Sequence, residues 1–288
     1  MADHSHSHNH DQFHGHSHGH GHGHGHSHAH GNGETQNREY FNQQASSYDS
    51  KHEKTLDQLI EEIRKRIDFI GVEWADEESS DEEEEGEKDD TKEKREVRLL
   101  DYACGTGLVS RALAPYTTQC VGVDLSENMV ATYNARAANQ GLTPEEMHAH
   151  VGNLCLPTTS PSYSTQSQLF SSPDFYRFDL AAICLGFHHF DDPPLAARRL
   201  AERLKPGSGV LMILDFLPHE KMDASHPASD TVIHHGFSKE HIQKIFEDAG
   251  VGQDFGFEEL AVVFNKATET RGEMRRKIFM ARGTRKAE

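Results

Sequence analysis

The sequence predicts an α/β fold built on a mostly parallel sheet. Three observations carry this. Short apolar runs alternate with helix-period segments between residues 97 and 216, the first run leads into the glycine-bearing turn "DYACGTG" at 101–107, and the second run ends in an acid, Asp124. Strand, helix, strand in regular order implies right-handed crossovers between parallel neighbours.

Residues 1–36 alternate histidine with Gly, Ser, Ala or Asn, and thirteen of the 23 histidines fall in the first thirty positions. Such a stretch cannot bury a core, so a disordered tail is expected. Residues 37–71 form an expected N-terminal lid and helix. Thr55 with Gln58 reads as a capping box, and Leu56, Leu59, Ile60, Ile63, Ile67 and Ile70 then share one helical face. Residues 72–96 read as a solvated acidic insert, whose "ESSDEEEE" serines suit an acid-directed kinase.

The core is expected over 97–284. Strands are predicted at 97–102, 119–124, 147–151, 178–185 and 209–215, with helices at 127–139, capped by Ser126, and at 194–204. The stretch "PTTSPSYSTQSQLFSSPD" reads as a mobile surface loop. Ser238 caps a further helix carrying Ile242, Ile245, Phe246 and Ala249, with Gly250 just past its end, and apolar runs at 260–264 and 277–281 form a terminal strand pair.

Charge and cysteine content narrow the function classes. The formal net charge is −18, but twelve acids and one lysine between Glu73 and Asp90 supply most of it. No extended basic patch stands out, and the short run Arg275, Arg276 and Lys277 reads as strand-flanking, so direct nucleic-acid binding is not expected. Cys104, Cys120, Cys155 and Cys184 lack any paired spacing and read as free thiols of a reducing compartment. No run approaches 18 apolar residues and no signal-peptide core is present, so the expected location is the cytoplasm, or cytoplasm and nucleus.

A glycine turn behind a first strand can hold a dinucleotide, a nucleoside sulfonium or a phosphate. Gly105 and Gly107 allow a tight turn and close approach of backbone N–H groups to a ligand. Asp124, seventeen residues past Gly107, stands where a carboxylate can accept both hydroxyls of a ribose. A dinucleotide would place its pyrophosphate at the helix N-terminus, where the acid Asp101 is unfavourable. Asp101 instead suits the ammonium of a methionine moiety, and Asn153 in "HVGNLC" can accept from an adenine amino group. These features suit S-adenosyl-L-methionine better than NAD.

The segments "LLDYACGTG", "VGVDLSENMV", "GNL", "FDLAAICLGFHHF" and "RLKPGSGVLMILDF" occur in that order. Together they resemble the motif series of class I S-adenosylmethionine-dependent methyltransferases, nearest the UbiE/Coq5-like group. "EYFNQQASSYD" is similar to the lid segment of many members, and "HHGFSKEHIQKIFEDAG" and "KIFMARG" resemble the last helix and final strand. The resemblance implies a Rossmann-like, seven-stranded, mostly parallel sheet with an antiparallel last strand and helices on both faces. It also implies that Asp101, Ala103, Gly105 and Gly107, with Cys104, Thr106 and Cys184, surround the methionine part. Asp124 would then hold the ribose, Leu125 and Met129 would border the adenine, and Leu154 would pack on its ring. Asn153 departs from the acid common at its position, and Tyr40 and Tyr48 would close over the site.

Methyl transfer is a single displacement, for which a protein must align the nucleophile and exclude water. His188 and His189 follow the fourth strand and are the candidates for a general base or for positioning the acceptor, while His234 and His235 reach the same mouth. No nucleophile triad and no structural metal site is expected. The histidine tail can chelate Zn²⁺, Ni²⁺ or Cu²⁺ weakly, and its repeats are themselves conceivable methyl acceptors. The acceptor is a small molecule or a protein. Regulatory methyltransferases of fungi, of the VapB/VipC kind, share such a core with polar tails, so protein partners through the acidic and histidine-rich segments are a variant. An NAD-dependent oxidoreductase and a noncatalytic scaffold are the competing classes.

Overall fold

The computed structural model describes residues 32–75, 95–221, 228–264 and 274–287. The disorder expected of the histidine tail and acidic insert falls on residues 1–31 and 76–94, which lie outside the described residues, as do the "ESSDEEEE" serines.

Seven strands form one sheet: β1 (Arg98–Tyr102), β2 (Gln119–Asp124), β3 (Met147–Val151), β4 (Leu180–Cys184), β5 (Val210–Phe216), β6 (Gln253–Phe264) and β7 (Met274–Thr284). Their order is β3-β2-β1-β4-β5-β7-β6. The first five run parallel, and β7 lies antiparallel between β5 and β6. Strand order reverses between β1 and β4, so a crevice opens at the carboxyl ends of these strands.

The parallel strands β1, β2, β4 and β5 are near-continuous apolar runs because both faces are covered, whereas the edge strand β3 alternates buried and half-buried residues. On one face Leu99, Leu180, Val210, Met212 and Leu214 pack against α2 (Tyr48–Arg64), α3 (Ile67–Ile70), α4 (Leu108–Leu113) and α5 (Glu127–Asn139). On the other, Leu100, Ala181, Ile183, Leu211 and Ile213 pack against α7 (Pro193–Ala201) and α8 (Lys239–Asp248). Ser126 and Ser238 cap α5 and α8 as expected, accepting from the N–H groups of Met129 and His241. Gly250 follows α8 in the left-handed conformation, φ +78°.

Four local expectations differ. The capping box at Thr55 is not a helix start: α2 begins at Tyr48, and Thr55 is buried in its interior. The apolar face was placed correctly, with Leu56, Leu59, Ile60 and Ile63 all buried. Helix α1 (Asn32–Gln44) starts inside the stretch assigned to the tail. The expected loop after β3 contains α6 (Tyr163–Leu169) and buries Phe170 and Phe175, whose carbonyls accept from the Arg203 guanidinium at 3.1 and 3.0 Å. Finally, Arg275, Arg276 and Lys277 lie within β7, and β6 begins at Gln253. An edge strand needs apolar residues on one face only, and Phe257, stacked on Phe279 at 5.0 Å, supplies them amid polar neighbours.

Gly107 carries φ +90°, and a Cβ there would stand 2.8 Å from the Tyr133 ring; Gly105, at φ +51°, would meet nothing within 4 Å. Denaturant unfolding should therefore show Gly107→Ala destabilised by about 2–4 kcal/mol, from strain plus overpacking, and Gly105→Ala by only about 1 kcal/mol. Equal losses would contradict this division of roles.

Candidate functional site at the carboxyl edge of the sheet

The turn after β1 coils tightly because Ala103, Gly105 and Gly107 all adopt positive φ, at +54°, +51° and +90°. Asp124 ties this turn to the next one. Its Oδ2 accepts from the Gly105 N–H at 2.8 Å and its Oδ1 from the Ser126 N–H at 2.8 Å. Burial raises its carboxyl above the usual range, against the N–H groups of Ser126, Gly105 and Leu125. With three N–H groups on about four acceptor positions, the carboxylate keeps one free.

Asp101 is 1% exposed, and its Oδ2 accepts from the Ser110 N–H at 3.0 Å and hydroxyl at 2.8 Å. The Tyr133 hydroxyl in turn donates to Ser110 Oγ at 2.7 Å. Burial pushes Asp101 up to about 7, with the Ser110 bonds opposing and the Asp124 charge adding.

The other expected residues divide into two groups. Thr106 is buried and donates to Asp49 at 2.6 Å. Leu125 and Cys184 are half-buried at strand ends, Met129 and Leu154 are buried, and Tyr48 packs on the same core face as Cys184. Burial raises the Tyr48 phenol, with Cys184, Asp49, Tyr40 and Asp124 adding to it. Tyr48, Tyr40, Cys184 and Asp124 therefore share one neighbourhood, which Thr106 joins through Asp49. Cys104, by contrast, turns its sulfur back toward Gly122 of β2, where a Cβ would stand 2.9 Å from it. The amide oxygen of Asn153 already accepts from the Tyr102 hydroxyl at 2.9 Å and the Cys155 N–H at 2.8 Å, so both its lone pairs are engaged.

Three lid residues that sequence reasoning missed latch the N-terminal segment across these turns. Asn42 Oδ1 accepts from the Ser126 hydroxyl at 2.6 Å and the Asn128 N–H at 3.1 Å, and its Nδ2 donates to Glu127 at 2.8 Å. Asp49 bonds Thr106 and pairs with Arg136. Asn37 Nδ2 donates to the His189 carbonyl at 3.3 Å, while its Oδ1 is buried without a partner among the described residues. Tyr40 meets Phe41 edge-on at 5.2 Å, and Phe41 meets His189 at 5.4 Å. Polar side chains in a weakly amphipathic segment were the only sequence trace of this latch.

The histidines gather after β4. His188 is buried, and its Nδ1 lies 2.8 Å from Oδ1 of Asp215, which is fully buried in β5. Asp215 also accepts from the N–H groups of His188 at 3.1 Å and Phe216 at 2.7 Å. Burial raises the Asp215 carboxyl, but the His188 ring and the Phe216 N–H more than offset it, leaving it below the usual carboxylate range. Nδ1–H therefore donates to Asp215, which fixes the ring orientation and leaves Nε2 as the nitrogen turned away from the pair. His189 Nδ1 lies 2.6 Å from the Thr231 carbonyl, and burial with the neighbouring His188 lowers it to about 3. His234 Nε2 bonds the Phe190 carbonyl at 3.0 Å, and the Ile233 and His234 N–H groups hold the His188 carbonyl. His235 stands beside His219, ring centroids 5.9 Å apart. Asp215 was quoted in the sequence motif "LMILDF" without a role; twenty-six residues separate it from His189, so no local pattern joins them.

A methyltransferase domain family matches residues 48–251. The chain is 30% identical over 161 residues to an uncharacterized methyltransferase of Schizosaccharomyces pombe, covering 54% of this chain and 53% of that protein. It is 29% identical over 109 residues to a ubiquinone biosynthesis O-methyltransferase of Coxiella burnetii, covering 38% of this chain and 39% of that one. The chain spans about half the length of the first of these curated relatives. A methyltransferase of Haloferax volcanii, solved in complex with the Trm112 methyltransferase activator, has a similar fold with TM-score 0.56 at 17% identity, covering 87% of this chain and 98% of that one. The chain belongs to the methyltransferase domain family, and its fold is that of the class I S-adenosylmethionine-dependent methyltransferases.

Proposed function

We propose that the chain transfers a methyl group from S-adenosyl-L-methionine to an acceptor bearing an ionisable O–H or N–H. The Asp124 carboxylate, bridging two turns with an acceptor position to spare above an open Gly105, is the observation that carries the cofactor reading. Asp124 would hold the ribose diol, Asp101 the ammonium through the oxygen Ser110 does not use, and Leu125, Met129 and Leu154 the adenine side. Asn153 would contribute through its amide nitrogen, since its oxygen is engaged. When bound, the cofactor supplies a methyl carbon activated by its sulfonium.

The chain's own groups do the rest. Tyr40, Tyr48 and the Asn42 and Asp49 latch close the N-terminal segment over the site and exclude water. Asp215 holds His188 in one tautomer, and Nε2 accepts the acceptor's proton as the methyl group moves. His189, held neutral, positions the acceptor. Four free cysteines support a reducing location, cytoplasmic or nuclear. The acidic and histidine-rich segments support protein partners, and with them a regulatory subunit in a larger complex as the second reading. No helix among the described residues is long and apolar enough to cross a membrane.

The direct test is tritiated-methyl transfer into cell extract, split into small-molecule and protein fractions. Label should enter one fraction, and Asp124→Ala should abolish it at low cofactor concentration by weakening binding more than about 1.5 kcal/mol. Unchanged affinity by calorimetry would remove Asp124 from the ribose.

Asp101 yields a second expectation. With its carboxyl at about 7, it is partly protonated near neutrality, and a cation beside it favours the carboxylate, so cofactor binding should release a proton. Calorimetry at pH 7 in buffers of different ionisation enthalpy should show this release, and Asp101→Asn should remove it. Buffer-independent heats would contradict the ammonium contact.

For the base, His188→Gln should lower kcat about a hundredfold or more with little change in cofactor affinity. Asp215→Asn should also lower kcat, by misorienting the ring. A full rate with His188→Gln would leave the acceptor activated by alignment alone.

A further inference from the structure

Beside the His188 and Asp215 pair the sheet holds a cationic group with no assigned task. Arg276 of β7 lies half-buried, its guanidinium carbon 5.5 Å from the centre of the Phe216 ring. That ring also meets His188 at 5.1 Å and His219 at 5.6 Å, and His219 meets His235. One aromatic ring thus separates the guanidinium from the base.

Nothing described balances this charge. No carboxylate among the described residues pairs with Arg276, and burial alone lowers its pKa, with no acid opposing. The one acid of the neighbourhood that is buried, Asp215, is committed to His188 and the Phe216 N–H. Glu220 is exposed and engages His219 through its carbonyl. His235 Nδ1 is buried with no hydrogen-bond partner among the described residues. An unpaired guanidinium and an orphaned ring nitrogen, both partly withdrawn from water, are costly unless a ligand completes them.

We propose that the methyl acceptor is a small aromatic molecule carrying a carboxylate, which Arg276 binds with His219 and His235 while its ionisable group faces His188. The Phe216 ring, in contact with Arg276, His188 and His219, suits a planar ring, and a guanidinium fork matches a carboxylate in geometry as well as charge. The charge at Arg276 also discriminates. An uncharged analogue would leave the guanidinium desolvated and unpaired, so the site selects the acid over its amide.

This inference rests on the proposed methyl transfer, because it takes His188 as the base, and the test separates the two. The full chain is titrated calorimetrically with benzoate and with benzamide, both with and without S-adenosylhomocysteine, and S-adenosylhomocysteine is titrated alone. Benzoate should bind saturably and more tightly than benzamide. Arg276→Gln should weaken benzoate about tenfold, His219→Gln should weaken it less, and neither should change S-adenosylhomocysteine affinity. Unchanged S-adenosylhomocysteine binding also shows that each variant is folded. No saturable benzoate binding, equal binding of benzoate and benzamide, or an unaffected Arg276→Gln overturns the acid-binding role. Loss of S-adenosylhomocysteine binding in the wild type, with benzoate still selected, would instead overturn the methyl transfer.

Discussion

The carboxylate of Asp124, accepting one backbone N–H from each of two turns, is the constraint on which the rest of the site depends. Neither turn has a hydrogen-bonded ladder of its own at this point, because β1 and β2 have just ended. A half-buried acid partly withdrawn from water needs donors, and the N–H groups of two turns need an acceptor, so one group satisfies both. The positive φ values of Ala103, Gly105 and Gly107 bend the chain so that the Gly105 N–H can reach Asp124. Gly107 then seats on Tyr133, which anchors Ser110 and through it Asp101. The two acids are therefore positioned by one connected set of bonds running from β2 through the turn into α4 and α5.

Over this edge lies a latch made almost wholly of polar contacts. Asn42 and Asp49 reach the turns after β2 and β1, and Asn37 the turn after β4, so the N-terminal segment spans the full width of the crevice. Such bonds contribute about 1 kcal/mol each and exchange readily with water, unlike the buried Leu59 and Ile63 of the following helix. A segment anchored by an apolar helix at one end and polar bonds at the other is suited to open and reclose without unfolding the core. On the acceptor side the chemistry changes character, from carboxylates and glycines to imidazoles and aromatic rings. Two neighbouring histidines there have different surroundings, because one faces a buried carboxylate and the other a carbonyl.

The sheet was legible because β1, β2, β4 and β5 are covered on both faces and read as near-continuous apolar runs, and because Ser126 and Ser238 cap their helices through local bonds. Thr55 and Gln58 met a local rule in the wrong place. The apolar stripe that makes α2 a helix continues the turn begun at Tyr48, and tertiary burial overrides the cap. The segment after β3 looked like a loop by composition, yet Phe170 and Phe175 find a core and Arg203 satisfies their carbonyls. In the site, Asp101, Gly105, Gly107 and Asp124 stood out because their spacing is local to two strand ends. Asn42, Asp49 and Asp215 act across 57 or more residues, or across neighbouring strands, and nothing in their own surroundings marks them. Asn153 was placed correctly at the end of β3, but the groups that occupy its oxygen could only be seen in three dimensions.

Whether this edge holds a nucleoside sulfonium is best decided by titrating the full chain with S-adenosylhomocysteine and, separately, with NADH in the same calorimeter. Saturable one-to-one binding of S-adenosylhomocysteine and none of NADH is the predicted result. Binding of NADH by folded protein that ignores S-adenosylhomocysteine would contradict it.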